Sequence, residues 1–255
     1  MLVATMIAAP GKLDPTLAEA LRNAWGGGDI LWLSPNEAAE FPLASRPANL
    51  SDVAADLRGQ GVDLALQRDH DRRKRVLLAD MDSTMIGQEC IDELAEVAGV
   101  GEEVRAITAR AMNGELDFEG ALLARVGLLK GLDSAVIDTV LAERITLTPG
   151  GLALVATMRA NGGYAALVSG GFTAFTGHVA GHLGFDEHRA NTLRVSDGKL
   201  TGDVAHPILG REAKVATLKE VSARLGIGKE EVLAVGDGAN DLGMLGMAGM
   251  GVALH

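Results

Sequence analysis

Short apolar runs and stretches of helical period alternate along the chain. Residues 2–8 read as a strand, and residues 14–25 as a helix capped by Asp14 with Pro15 at its first position. Gly26, Gly27 and Gly28 break the pattern before a second strand at 30–33. Residues 50–57 are expected as a short helix capped by Ser51, and 62–67 as a third strand. Residues 1–72 therefore read as a small α/β unit. It closes on a charged stretch, 68–75, in which Arg72, Arg73, Lys74 and Arg75 are consecutive. One short basic run on an acidic chain is expected to be a solvated linker rather than a nucleic-acid patch.

A compact apolar strand at 76–79 follows and ends in Asp80-Met81-Asp82-Ser83-Thr84. Residues 87–148 read as mostly helical. Ile91, Leu94, Ala95 and Ala98 recur at helical spacing, and Gly99 suits a helix stop. Further helices are expected over 102–112, 117–129 and 133–142. From Pro149 the alternation returns, with helix 150–160, strand 164–168 and helix 172–183. Asp197-Gly198 marks a hairpin turn between 192–195 and 199–204. Helix 211–225, strand 232–235, helix 240–247 and strand 250–253 complete the pattern. Strands alternating with helices predict a parallel sheet covered on both faces.

Composition narrows the class. Apolar residues make up 47% of the 255 and charged residues 22%, ordinary globular usage that excludes disorder and collagen-like repeats. A single cysteine, Cys90, excludes a disulfide framework or a cysteine-built metal site, and suits a reducing cytoplasm. The net charge of −11 argues against a general nucleic-acid or anionic-membrane binder. It leaves room for a small anionic substrate, because a metal ion and one lysine reverse the sign locally. No apolar run reaches the ~18 residues of a membrane span. No basic residue precedes the apolar stretch 2–9, so no signal peptide is expected.

Asp80 and Asp82 follow an apolar strand directly, and ligands of open α/β sheets bind beyond the C-terminal strand ends. Residues i and i+2 of an extended chain share a face. Two carboxylates there could share a divalent cation or divide nucleophile and acid duties; a polar turn ending the strand is the alternative. An EF-hand is excluded. Met85 and Ile91 occupy its glycine and bidentate-glutamate positions counted from Asp80, and Leu242 and Ala248 occupy them counted from Asp237. Neither a Walker A loop nor a G-x-G-x-x-G is present. Gly236-Asp237-Gly238-Ala239-Asn240-Asp241 repeats the strand-then-acidic-turn layout and offers hard oxygen ligands for Mg²⁺. Ser169-Gly170-Gly171 follows another apolar strand and is expected to open a helix, where its hydroxyl and N–H groups could hold phosphate; an N-cap serine is the alternative. Lys214 falls in the first turn of helix 211–225, which is unfavourable for the helix dipole and hints at an anion nearby; a solvated surface lysine is the alternative. His178 and His182 lack the glutamate of H-E-x-x-H and read as surface or packing residues.

Taken in order, D-x-D-x-T, S-G-G, a lysine and G-D-G-x-N-D resemble the haloacid-dehalogenase (HAD) superfamily of aspartyl-phosphate phosphatases over roughly residues 76–255. Glu89-Cys90-Ile91-Asp92-Glu93, Arg110-Ala111-Met112, Glu115-Leu116-Asp117-Phe118, Arg125-Val126, Val168-Ser169-Gly170-Gly171-Phe172 and Asp197-Gly198-Lys199-Leu200-Thr201-Gly202 are similar to the phosphoserine phosphatase family within it. The resemblance implies a Rossmann-like parallel-sheet HAD core over 73–86 and 149–255, an inserted helical cap over 87–148, and a small N-terminal α/β domain faintly similar to the ACT-like module over 1–72. It implies Mg²⁺-dependent hydrolysis of O-phospho-L-serine through an aspartyl-phosphate, in the cytoplasm. Asp80 would be nucleophile and Asp82 acid and base. Mg²⁺ would sit on the Asp80 side chain, the Asp82 carbonyl and Asp237, supported by Asn240 and Asp241. Ser169, Gly170 and Lys214 would neutralise the phosphoryl oxygens. Glu89 would meet the substrate ammonium and Arg125 its carboxylate, with Met112 and Phe118 walling the pocket and Asn240 beside it. The partner implied is a small molecule, with no nucleic acid, no membrane, and a homodimer left open. Two alternatives remain: another phosphatase or phosphotransferase of the superfamily acting on a different small phosphate ester, such as a sugar phosphate, or on homoserine, or a non-catalytic metabolite-sensing regulator.

Overall fold

The computed structural model describes residues 1–70 and 72–254. Asp71, inside the charged stretch, and His255 lie outside the described residues. The chain divides into two compact units, Met1–Arg73 and Lys74–His255.

The first unit runs β1 (Leu2–Ala8), α1 (Pro15–Ala24), β2 (Leu31–Ser34), β3 (Ala38–Leu43), α2 (Leu50–Gly59) and β4 (Val62–Arg68). Its sheet has the order β2-β3-β1-β4, and every pairing is antiparallel. Asp14 caps α1 as its spacing predicts, its Oδ1 accepting from the Thr16 N–H at 2.8 Å. Ala4, Met6 and Ala8 of β1 join Phe41, Ala18, Leu21 and Leu57 in one core, so both helices cover the same sheet face. Met6, Leu21, Phe41 and Leu57 each contribute about 1.5–3 kcal/mol by leaving water.

Three expectations change here. β3 was not anticipated, because Glu40 and Pro42 interrupt its apolar character. Yet its residues alternate between half-buried and buried, sending Ala39, Phe41 and Leu43 into the core. Ser51 does not cap α2: it lies inside the helix, which begins at Leu50 with Asn49 at the cap position and no side-chain cap bond. The basic run is not simply solvated, since Arg72 forms a two-pronged ion pair with Glu40 and the Arg75 N–H donates to the Glu231 carbonyl at 2.7 Å.

The second unit begins with β5 (Val76–Ala79) and continues into four helices, α3 (Cys90–Ala98), α4 (Gly101–Met112), α5 (Phe118–Leu128) and α6 (Val136–Glu143). Then come α7 (Gly151–Ala160), β6 (Tyr164–Phe172), α8 (Thr173–Leu183), β7 (Glu187–Asn191), the hairpin β8 (Leu193–Ser196) and β9 (Lys199–Val204), α9 (Arg211–Leu225), β10 (Val232–Gly236), α10 (Leu242–Met247) and β11 (Met250–Ala253). Five strands form a parallel sheet in the order β11-β10-β5-β6-β7. All four residues of β5 are fully buried, as a strand covered on both faces requires. Leu77 and Ala79 face the layer containing Val155 and Phe175; Val76 and Leu78 face Leu218, Val221 and Met244. β7 escaped the sequence reading because Glu187, His188 and Arg189 are polar; at this sheet edge only Ala190 and Asn191 are buried.

The chain leaves β5, builds β6 and β7 on one side, then crosses to β10 and β11 on the other. That reversal leaves a crevice beyond the C-terminal end of β5, where open parallel sheets bind ligands. No helix among the described residues is long and apolar enough to cross a membrane.

Candidate active site

Asp80 leaves β5 into this crevice and is 5% exposed. Its N–H donates to the Val235 carbonyl at 3.0 Å, which locks it beside β10. Lys214, on the first turn of α9, is 1% exposed rather than solvated. Its Nζ lies 2.6 Å from Asp80 Oδ2 and 2.6 Å from Asp241 Oδ1. Asp241, fully buried, accepts with Oδ2 from the N–H groups of Asp237 and Gly238 at 3.2 and 3.0 Å. That folded loop leaves no room beside Gly236, where a Cβ would fall 2.4 Å from Asp241 Cγ. Asp237 accepts from the buried Thr84 hydroxyl at 2.8 Å. Asp80, Asp237 and Asp241 bring one oxygen each within 4.8 Å of one another. The Lys214 ammonium pairs with two of these three carboxylates, and such a set of hard oxygens suits a divalent cation. Burial pushes the Asp80 carboxyl above its usual range, with Asp241 and Asp82 adding to the rise and Lys214 opposing it. A bound cation would reverse that direction.

Asp82 turns away from the carboxylate cluster. Its Oδ1 accepts from the Cys90 N–H at 2.9 Å, and its Oδ2 from the Ser169 hydroxyl at 2.8 Å. Ser169 does not open a helix. It lies within β6, and α8 starts four residues later. The register of β6 against β7 breaks between Val168 and Phe172, so Ser169, Gly170 and Gly171 bow out at the sheet end. The Ser169 hydroxyl also accepts from the Gly171 N–H at 2.8 Å.

The helices α3 to α5 close the crevice into a cavity of about 430 Å³. Asp80, Asp82, Glu89, Met112, Phe118, Arg125, Ser169, Gly170, Asp237 and Asn240 all line it. The Phe118 ring rests on two bare backbone positions, since a Cβ on Gly170 or Gly210 would meet it at 3.1 or 3.2 Å. Met112 is 84% exposed and contributes only at the rim. Arg125 donates through Nε to the Ala121 carbonyl at 3.2 Å and through Nη1 to the Thr108 hydroxyl at 3.4 Å. Burial lowers its pKa, while Asp92 and Glu89 pull it back up. Glu89 stands at the N-cap of α3 without capping it, and its Oε1 accepts from the Ser83 hydroxyl at 2.7 Å. The enclosing cleft, and secondarily Asp82, push its carboxyl up to about 7. His178 and His182 stack on the exposed face of α8, ring centroids 4.2 Å apart.

From the sequence, Asp241 is an oxygen donor beside Asp237 and a support for the metal shell, while Thr84 and Ser83 have no role. Thr84 was visible only as the last letter of D-x-D-x-T. Ser83 carried no signal beyond its neighbours.

A parallel sheet with acidic turns at adjacent strand ends and a helical insert over them defines a class of hydrolase. The family profile of haloacid dehalogenase-like hydrolases matches residues 77–246, and the chain belongs to that family. Among relatives, the phosphoserine phosphatase of Streptomyces coelicolor is 41% identical over 98% of this chain and 63% of its own length. A solved HAD family hydrolase from Salmonella enterica serovar Typhi matches with a TM-score of 0.88, covering 99% of this chain and 89% of that one at 32% identity. A solved phospho-aspartyl intermediate analogue of phosphoserine phosphatase matches with a TM-score of 0.66, covering 71% of this chain and 87% of that one at 43% identity. The chain spans about three fifths of the length of several curated relatives it matches, those of Streptomyces coelicolor and Archaeoglobus fulgidus among them.

Proposed function

We propose that this protein is a cytoplasmic phosphatase that hydrolyses O-phospho-L-serine to serine and phosphate. One observation carries the reading. Glu89 and Arg125, a carboxylate and a guanidinium, line the same 430 Å³ cavity as Asp80. An amino acid head presents one cation and one planar anion, and arginine suits a carboxylate fork. The names of the relatives above support the same substrate.

Asp80 attacks phosphorus, forming a bond to phosphorus as the bond to the seryl oxygen breaks. The departing alkoxide needs a proton, and Asp82 supplies it. The Ser169 hydroxyl, which donates to Asp82 Oδ2, turns to a phosphoryl oxygen and frees Oδ2 to carry that proton. Asp82 then takes a proton from the water that attacks the aspartyl-phosphate, releasing phosphate and restoring Asp80. Lys214 and the Gly170 N–H neutralise the phosphoryl oxygens, where phosphoryl transfer gains most of its stabilisation. Asp80, Asp237 and the Asp82 carbonyl would hold Mg²⁺, with Asp241 and Asn240 shaping the loop. Bound there, the ion supplies positive charge against the phosphoryl group.

Phosphate release from O-phospho-L-serine, with and without Mg²⁺, tests the reading. Wild-type protein turns over the substrate only with the metal, and Asp80→Asn abolishes both turnover and trapping by beryllofluoride. Retained turnover in that variant ends the covalent mechanism. Equal turnover of O-phosphoserine and a phosphate ester lacking both amine and carboxylate ends the substrate assignment.

A further inference from the structure

Ser83 holds no part in the chemistry just described, yet its backbone is in the left-handed region at φ +53°. The other two non-glycine residues there, among the described ones, are Asn36 and Asp197, types that tolerate it. A serine held so is over-determined by its surroundings, and such strain gathers at functional positions.

The surroundings are explicit. The Ser83 N–H donates to the Gln88 carbonyl at 3.2 Å. The Gln88 side chain clasps Thr146, donating to its hydroxyl at 2.8 Å and accepting from its N–H at 2.9 Å. Gly87 and Met85 bond across to Thr146 and Thr148 at 3.0 Å each. The outgoing and returning connectors between sheet and helical insert are thereby sewn together. Ser83 projects from this rigid seam and donates to Glu89 Oε1 at 2.7 Å. Glu89 has three side-chain torsions and no bond to its own helix end, so the hydroxyl is what fixes it. Desolvation in the cleft, then Asp82, Asp237 and Asp92, disfavour its ionised form, whereas the Ser83 bond favours it.

We infer that Ser83 is a positioning residue that aims Glu89 at the substrate ammonium, leaving Oε2 for the ligand while Oε1 is tethered. This rests on the amino-acid-phosphate reading above. Its effect falls on recognition of the ammonium and not on phosphoryl transfer.

Steady-state kinetics of Ser83→Ala and Ser83→Gly test it, the glycine variant removing the hydroxyl while relieving the backbone. The two substrates are O-phospho-L-serine and 3-phosphohydroxypropionate, which keeps the carboxylate and lacks the ammonium. Both variants should raise KM for O-phosphoserine about tenfold, the worth of one hydrogen bond to a charged group. Their kcat, and their kcat/KM for the amine-free ester, should stay within about twofold of wild type. Wild-type protein that does not prefer O-phosphoserine over the amine-free ester refutes the substrate assignment itself. Wild-type preference with unchanged KM in both variants, or equal losses on both substrates, overturns the role of Ser83.

Discussion

Replacing Lys214 by methionine removes the one ammonium lying between Asp80 and Asp241 while keeping the volume of the side chain. Both contacts are 2.6 Å, and all three side chains are at most 7% exposed. Breaking a buried ion pair by deleting one partner costs about 3–5 kcal/mol, because the remaining charges keep their desolvation without their counter-charge. For a unit of this size each kcal/mol lowers Tm by roughly 2–4 °C, so metal-free Lys214→Met should melt roughly 6–20 °C below wild type. The deficit should shrink in millimolar Mg²⁺, which supplies the missing positive charge. It should also shrink in acid. The folded-state pKa of Asp80 is already raised by burial, and losing Lys214 raises it further. A carboxyl raised on folding binds more protons folded than unfolded, so its penalty grows as pH rises from its unfolded value through its folded one. Lowering the pH toward about 5 protonates Asp80 and lessens the need for a counter-ion. Calorimetry with EDTA, with Mg²⁺, and at the two pH values reads all three effects. A Tm deficit that is small in EDTA, or unchanged by Mg²⁺ and acid alike, refutes the account of a charge cluster neutralised by Lys214.

The carboxyl of Glu89 is raised to about 7. KM for O-phosphoserine should therefore climb by up to about tenfold per unit as pH falls below 7, and the ratio to 3-phosphohydroxypropionate cancels phosphate titration; Glu89→Gln should flatten that ratio. Arg125→Ala should raise KM for O-phosphoserine by about 10–100-fold and for O-phosphoethanolamine, which has no carboxylate, by less than about threefold. Gly236→Ala drives a Cβ against Asp241 at 2.4 Å. It should cost about 1–3 kcal/mol in denaturant unfolding and lower kcat by displacing the loop that carries Asp237.

Local features of this chain were legible before folding because their causes are local. Asp14 before Pro15 caps α1 through its own neighbour's N–H. Asp197 and Gly198, both at positive φ, turn the β8–β9 hairpin. The four apolar residues of β5 read as a doubly covered strand because a parallel sheet buries both faces. β3 and β7 were not legible. Their polar residues are tolerated by an ion pair in one case and a sheet edge in the other, and neither condition is visible along the chain. Ser169 was mistaken for the start of a helix because glycines after an apolar run signal a turn; strand pairing with β7 on either side of the bow keeps it in β6. Motifs mark acidic turns at strand ends, but not which carboxylates will face one another. Lys214, Asp80 and Asp241 are far apart in sequence, and only the crossing of the chain from β7 to β10 brings them to 2.6 Å. Periodicity and turn chemistry act over a few residues, whereas the charge balance of a buried cluster depends on which distant segments exclude water together.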